Sequence, residues 1–522
     1  MTRRIMSQYY QPQGVSTSSI TDSTSTSESQ TSVPAPVSTS APTSDPTSSS
    51  TTPATEREED WLPRTLYSPG LGLTLHTTSD GHASSTKKQP SHTIITSKVL
   101  IPGDGRPIKN GAIVVEGKLI VWVGPKSLMP QKYTEAPHQA HSVPYLMPGL
   151  WDCHVHCAGQ NPDPTAAGPG ALSENPASSG ARLTRQCWEA LQRGYTSLRD
   201  VAGFGCEVAQ AVADGSIMGP NIYSSGACLS QRAAGHGDIF SLPVGDVLTN
   251  LGVQPGSLGY HGLNTTVIAD GAEECLRAVR LQIQRGAKCI KVLASGGVLS
   301  RDDNPLRAQF SQGELEAIVE EASRMDRAVA AHVHGKPDIM AAVKAGVTTV
   351  EHVTFADQEC IDLIKGKGVV YVATRTVLEI LMASGGEGLP HALWEKAQLC
   401  NANHMTAYKL AVQNGVTIAL GSDTFPGYNM ARELEHAVEA GLSNLEAIKA
   451  ATANGPLTVK GQAPLTGQLK VGYEADILGV LESPIDDVKV LQKKSNINWV
   501  WKGGRLFKGP GIGPWGEELK VE

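Results

Sequence analysis

Between residues 149 and 461 the apolar positions keep changing rhythm. Segments with helical spacing, such as Leu276, Val279 and Ile283, or Leu315, Ile318, Val319 and Ala322, end at a glycine and run at once into a β-branched stretch. The junctions read RGYTSLRD (193–200), RGAKCIKV (285–292), AGVTTVEH (345–352) and NGVTIALG (414–421). Glycine just past a helix end takes the left-handed conformation at little cost, and Thr, Val and Ile then favour strand. Helix starts are marked too, by capping-box spacing at Asp270 with Glu273 and at Ser311 with Glu314. Repeated helix-glycine-strand units predict a parallel sheet. Eight strand segments stand out, near 149–156, 196–201, 221–227, 289–294, 328–334, 348–353, 369–374 and 417–422. That number predicts an α/β fold closed as a TIM-like (β/α)8 barrel rather than an open sheet.

The flanks follow another pattern. Residues 91–125 alternate β-rich segments with Gly, Asp and Pro turns, and the same texture returns in GQLKVGYEADILGVLE (467–482) and INWVWKGGRLFKG (497–509). One small β-sandwich built from both ends is expected, from 91–148 and 462–522, around a barrel domain at 149–461. Upstream, residues 15–54 are mostly Ser, Thr and Pro with almost nothing to bury, so an N-terminal tail over 1–90 is expected to be disordered. A glycosylated stalk is the functional alternative to a passive tail.

Composition narrows the function classes. Forty per cent apolar residues suffice for a large core. A net charge of −7 without a long Lys/Arg run argues against a nucleic-acid partner. No stretch reaches the roughly 18 apolar residues of a membrane span. The start, MTRRIMSQYYQPQG, is basic but lacks the apolar core of a secretory signal. Nine scattered cysteines without CxxC spacing imply neither a disulfide framework nor a thiolate zinc site. Reduced thiols and a cytoplasmic location are expected, with secretion left open.

The strand ends carry the chemistry. In such barrels the active site lies at the C-terminal ends of the strands. Strand one ends in GLWDCHVHCAG (149–159), where alternation puts His154 and His156 on one face and Cys153 and Cys157, as packing residues, on the other. Strand four carries Lys291, strand five His332 and His334, strand six His352 and strand eight Asp423. Scattered structural histidines would not gather at one mouth. Imidazole and carboxylate donors suit zinc and similar divalent ions. Four histidines, a carboxylate and a bridging group suit two ions about 3.5–4 Å apart, which lower the pKa of a shared water towards about 7. As an ammonium Lys291 is a poor ligand, since its unperturbed pKa is about 10.4. Its neutral amine can take up carbon dioxide, and the two carbamate oxygens would bridge the metals. His334, Arg375 (in ATRT, at the end of strand seven) and His236 (in AGHGD) are substrate-binding candidates, each with a structural alternative. Arg301, Asp302 and Asp303 read as structural.

The order HxH, Lys, His, His, Asp over strands one, four, five, six and eight resembles the binuclear metal-dependent amidohydrolase superfamily. GYEAD (472–476) resembles the segment by which those chains return to their sandwich. More narrowly, LMPGLWDCHVH, ASSGARL, AGHGDIF, IKVLASGGVLSRDDNP, AHVHGK and KGPGIGPWGE resemble the fungal ochratoxin-hydrolysing amidases of that superfamily. The resemblance implies that His154, His156 and Asp423 bind the more buried metal and His332 and His352 the second, with carboxylated Lys291 between them. It also implies two zinc ions, attack of a metal-bridging hydroxide on an amide, and a proton passed by Asp423 to the departing amine. Phenylalanine would leave an N-acyl aromatic amino acid such as ochratoxin A, as in a metallocarboxypeptidase, and the enzyme would be a homo-octamer. A prolidase-like dipeptidase and an imidazolonepropionase-like cyclic-amide hydrolase are the alternatives. Mononuclear deaminases need no bridging lysine, and a non-catalytic scaffold would not keep every ligand position filled.

Overall fold

Both flanks and the middle of the chain form regular structure. The structure, a computed structural model, describes residues 91–159, 176–231, 236, 265–428, 430–513, 517 and 519; the Ser/Thr/Pro tail and the Pro/Gly-rich segment 161–175 lie outside them. The N-terminal flank supplies β1 (His92–Leu100), β2 (Ile108–Lys109), β3 (Gly111–Glu116), β4 (Leu119–Pro125), the short helix α1 (Gln131–Glu135) and β5 (His138–Pro148). Then come β6 (Leu150–Val155), α2 (Pro176–Gln192), β7 (Tyr195–Asp200), α3 (Gly205–Ala213), β8 (Asn221–Ser224), β9 (Cys228–Ser230) and β10 (Thr266–Ile268). The chain continues through α4 (Ala272–Arg285), β11 (Cys289–Leu293), α5 (Gln312–Arg324), β12 (Ala328–Val333), α6 (Lys336–Ala345) and β13 (Thr349–His352). It goes on with α7 (Gln358–Lys367), β14 (Val370–Val372), α8 (Arg375–Ala383), α9 (His391–Gln413), β15 (Ile418–Ala419), α10 (Arg432–Glu439) and α11 (Asn444–Ala450). The C-terminal flank adds β16 (Ile477–Val480), β17 (Ile497–Lys502) and β18 (Arg505–Lys508).

The two flanks meet in one eight-stranded sheet, ordered β18-β17-β16-β5-β1-β3-β4 with β2 on β1. The joint is β5 against β16, antiparallel, with Met147 opposite Leu478 and Leu146 opposite Gly479. Alternation divides the side chains between two faces. Ile95, Ile113, Ile120, Leu146, Ile477 and Trp501 pack together on one, and Ile94, Val114 and Tyr133 on the other.

The middle forms two parallel sheets, β6-β7-β8 and β10-β9-β11-β12-β13-β14-β15. They are joined at both margins. Lys288 N donates to Ser224 O, tying β8 to the approach of β11, and Val155 forms a parallel bridge with Thr424 beyond β15. Every predicted strand segment holds a strand, with one correction: in 221–227 the strand β8 ends at Ser224, and β9 begins beyond the segment at Cys228. Gly226 sits at φ +65, which turns the chain between them, and β9 then pairs with β11 through Leu229 and Val292. The pairing of β9 with β10 had no sequence signal.

The helices cover the sheets as their periodicity requires. Ser311 caps α5 in a full capping box with Glu314, and Leu315, Ile318 and Ala322 are buried beneath it. Gly286 and Gly346 end α4 and α6 in the left-handed conformation. The expected box of Asp270 with Glu273 is corrected: Gly271 is the N-cap of α4, and Glu274 Oε2 accepts from Asp270 N at 2.9 Å. The helix starts one residue late, which moves the third helical position from Glu273 to Glu274. Among the described residues, no helix is long and apolar enough to cross a membrane.

Candidate metal centre

The end of β6 and the segment after β15 are laced together by their backbones. Asp423 N donates to His154 O at 2.7 Å, and His156 N to Thr424 O at 2.9 Å. Asp152 Oδ1 accepts from His154 N and Ser422 N, binding the two segments from below. Gly421 makes the approach possible, since a Cβ there would lie 2.6 Å from that of His154. The result brings Asp423 Oδ1 to 2.9 Å from His156 Nε2 and 3.4 Å from His154 Nε2. One ligand atom from each of His154, His156 and Asp423 lies within 4.8 Å of the others.

The remaining histidines arrive from β12 and β13. The ring centroids of His332 and His352 are 4.5 Å apart, and those of His154 and His352 are 5.1 Å apart. His334 lies 4.6 Å from His332, and His236 stacks on His332 at 4.4 Å. Each ring has a nitrogen engaged by a neighbour, and His156 has both, its Nε2 meeting Asp423 Oδ1. His154 Nδ1 pairs with Glu351 Oε2 at 2.7 Å, His156 Nδ1 donates to Ala202 O at 3.1 Å, and His352 Nδ1 meets Thr374 Oγ1 at 2.6 Å. His332 Nε2 donates to Gly296 O at 3.3 Å, His334 Nδ1 contacts Thr354 Oγ1, and His236 Nδ1 contacts Ser300 Oγ. Fixing one nitrogen sets the tautomer and aims the other, which is how outer-shell partners prepare a metal ligand.

The electrostatics suit cation binding. Burial, then neighbouring charges that include Lys291, holds His332 and His352 well below the usual imidazole range, so both rings are neutral donors. Burial alone would raise the Asp423 carboxyl, but His154 and His156 hold it well below its ordinary value. Lys291 is 2 % exposed on β11, and burial lowers its amine. Its Nζ forms no hydrogen bond or ion pair with a described residue. A buried amine without a counter-charge at contact distance favours the neutral form, the one that reacts with carbon dioxide. The neutral rings of His332 and His352, an ionised carboxylate and this lysine fit a divalent-metal site.

Backbone strain concentrates here. His352, Val353, Thr374 and Asp423 are four of the eight described non-glycine residues at positive φ. Each such placement costs about 1–3 kcal/mol and persists only where its surroundings enforce it.

Of the residues expected from sequence, His154, His156, His332, His334, His352, Asp423 and His236 come together. Arg375 does not join the rings; its Nη1 donates to Asn401 O of α9 at 3.5 Å. Asp303 is structural, paired with Lys396 Nζ at 2.7 Å. Cys153 and Cys157 are buried packing residues, and burial pushes the Cys153 thiol up to about 12. All nine cysteines are buried free thiols.

Sequence reasoning missed the support behind His154. Glu351 Oε1 accepts from Arg199 Nη2 at 2.7 Å, and Arg199 also donates to Cys153 O and Thr349 Oγ1. A signal existed. Arg199 and Glu351 lie in short strands among apolar neighbours, where a charge must be paired.

A model of the amidohydrolase family matches residues 145–507. The chain belongs to the amidohydrolase family. Ochratoxinase of Aspergillus niger is 59% identical over 429 residues, 82% of this chain and 89% of that protein. The crystal structure of A. niger ochratoxinase superposes with a TM-score of 0.78, at 58% identity, covering 82% of this chain and 98% of that one. A prolidase complexed with N-methylphosphonate-L-proline superposes at 0.71 with 30% identity, covering 80% of this chain and all (100%) of that one. The protein is therefore a hydrolase acting on amide carbon–nitrogen bonds, and a small-molecule amide fits its family.

Proposed function

We propose that this amidohydrolase cleaves N-acyl aromatic amino acids, ochratoxin A among them, and releases phenylalanine. The observation that carries this reading is the 59% identity with ochratoxinase across most of both chains. In this reading His154, His156 and Asp423 would hold one zinc ion, His332 and His352 would hold a second, and carboxylated Lys291 would bridge them. Two such ions supply a water of lowered pKa and polarise the amide carbonyl.

The chain's own residues complete the reaction. Asp423, ionised and beside His156, takes a proton from the attacking water and returns it to the departing amine nitrogen. His334 and His236 flank His332 and would contact the acyl side or the developing oxyanion. Arg375 would bind the substrate carboxylate by turning away from Asn401. Closure of the parallel sheets into a (β/α)8 barrel is supported by the Val155–Thr424 bridge, while the flanks expected as a sandwich pair in one eight-stranded sheet. Assembly into an octamer rests on the resemblance alone.

The test is hydrolysis of ochratoxin A by the zinc-loaded protein beside dipeptides ending in phenylalanine or proline. Fastest turnover of ochratoxin A or the phenylalanine series is expected. A clear preference for proline dipeptides would replace this substrate by a prolidase-like one, and silence towards all amides would remove the catalytic reading.

A further inference from the structure

Thr374 is β-branched yet sits at φ 56, ψ 43, in the left-handed region. In that conformation its Oγ1 reaches His352 Nδ1 at 2.6 Å. A threonine so placed relaxes to an ordinary conformation unless the peptides around it are held. Here both sides are held. Ala373 O accepts from His404 Nε2 at 2.7 Å, and Thr376 N donates to Glu433 Oε1 at 2.5 Å.

His404 and Glu433 belong to α9 and α10, which contribute none of the predicted metal ligands. They are 0% and 1% exposed, and His404 Nδ1 and Glu433 Oε2 lack partners among the described residues. Burying polar groups with half their bonding capacity unmet is costly. Apolar side chains would fill both places at lower cost, but they would leave the peptides flanking Thr374 unanchored. Glu433 lies in the first turn of α10 and contacts the first turn of α8, so two positive helix ends offset part of its burial.

We propose that His404 and Glu433 are positioning residues that clamp Thr374 in its left-handed conformation and thereby orient His352. With the threonine oxygen accepting Nδ1–H, Nε2 of His352 is left as the donor to the second ion. The inference rests on the binuclear reading above.

The test uses the full chain. Thr374→Val removes the hydroxyl and keeps the shape; Glu433→Gln keeps an acceptor oxygen; Glu433→Leu and His404→Phe remove the anchors. Zinc content is counted by plasma mass spectrometry, and each equivalent's affinity is read by chelator competition alongside Tm. Wild type and E433Q should hold two equivalents. E433L, H404F and T374V should keep the first at unchanged affinity and bind the second about 10–100-fold more weakly. Wild-type affinity for the second equivalent in E433L or T374V overturns the clamp, as does equal weakening of both equivalents. If E433L or H404F fails to fold, T374V must still bind the second equivalent more weakly and E433Q must bind it as wild type does, or the clamp falls. A wild-type protein that binds one equivalent overturns the binuclear reading itself, a separate result that takes the clamp with it.

Discussion

Arg199 and Glu351 form an ion pair with no exposed side-chain surface, Nη2 to Oε1 at 2.7 Å, while the other oxygen of Glu351 holds His154 Nδ1 at the same distance. One carboxylate thus neutralises a buried cation and orients a predicted metal ligand. Removing either partner leaves an uncompensated charge, so Arg199→Met should destabilise by about 3–5 kcal/mol. The double variant Arg199→Met with Glu351→Leu should cost less than the two singles summed, because no charge is stranded. Urea unfolding of the four proteins checks this. Additive losses would mean the pair is not coupled.

The same carboxylate sets an acid limit. Burial alone would raise Glu351, but Arg199 and then His154 bring it down to about 2, from an ordinary 4.5. A depressed carboxylate contributes its stability in full above 4.5 and loses it as pH falls towards 2. The interval corresponds to about 3 kcal/mol. Unfolding free energy measured from pH 5 to pH 2 should therefore fall more steeply in wild type than in Glu351→Gln. Parallel curves would count against this assignment.

Asp423 separates binding from turnover. Asp423→Asn keeps an oxygen donor but cannot shuttle a proton, so it should retain metal while turnover drops about 10²–10⁴-fold. Metal analysis beside steady-state kinetics decides it. A fully metallated and fully active variant removes Asp423 from the proton path.

Gly421 tests the close approach of two strand ends. An alanine Cβ would lie 2.6 Å from His154 Cβ and 2.8 Å from Val372 Cγ1. Gly421→Ala should displace His154 and weaken the first metal site by roughly tenfold or more. Chelator competition reads the affinity and circular dichroism confirms the fold. Unchanged affinity would mean the strands can separate without cost.

Where sequence reasoning succeeded, the signals were local. Gly286 and Gly346 mark helix ends because a left-handed residue is needed there, and Ser311 with Glu314 caps α5 within one turn. It failed where a single residue shifts the register. Gly271 delayed the start of α4 and Gly226 turns the chain after β8, which ends short of the predicted 227, and nothing in the local sequence sets either glycine apart. Arg199 and Glu351 were legible as charges needing partners, yet 152 residues of chain separate them, and nothing local says which charge meets which.

The sequence by itself determined which side chains stand at the strand ends, because strand alternation, helix period and glycine caps act over a few residues. Only the tertiary structure decided which nitrogen each histidine offers, which backbone is strained and which carboxylate stands behind His154. Those features depend on contacts between residues as far apart as His156 and Asp423, 267 positions along the chain. Side-chain hydrogen bonds act over about 3 Å, and only folding brings such residues within that distance.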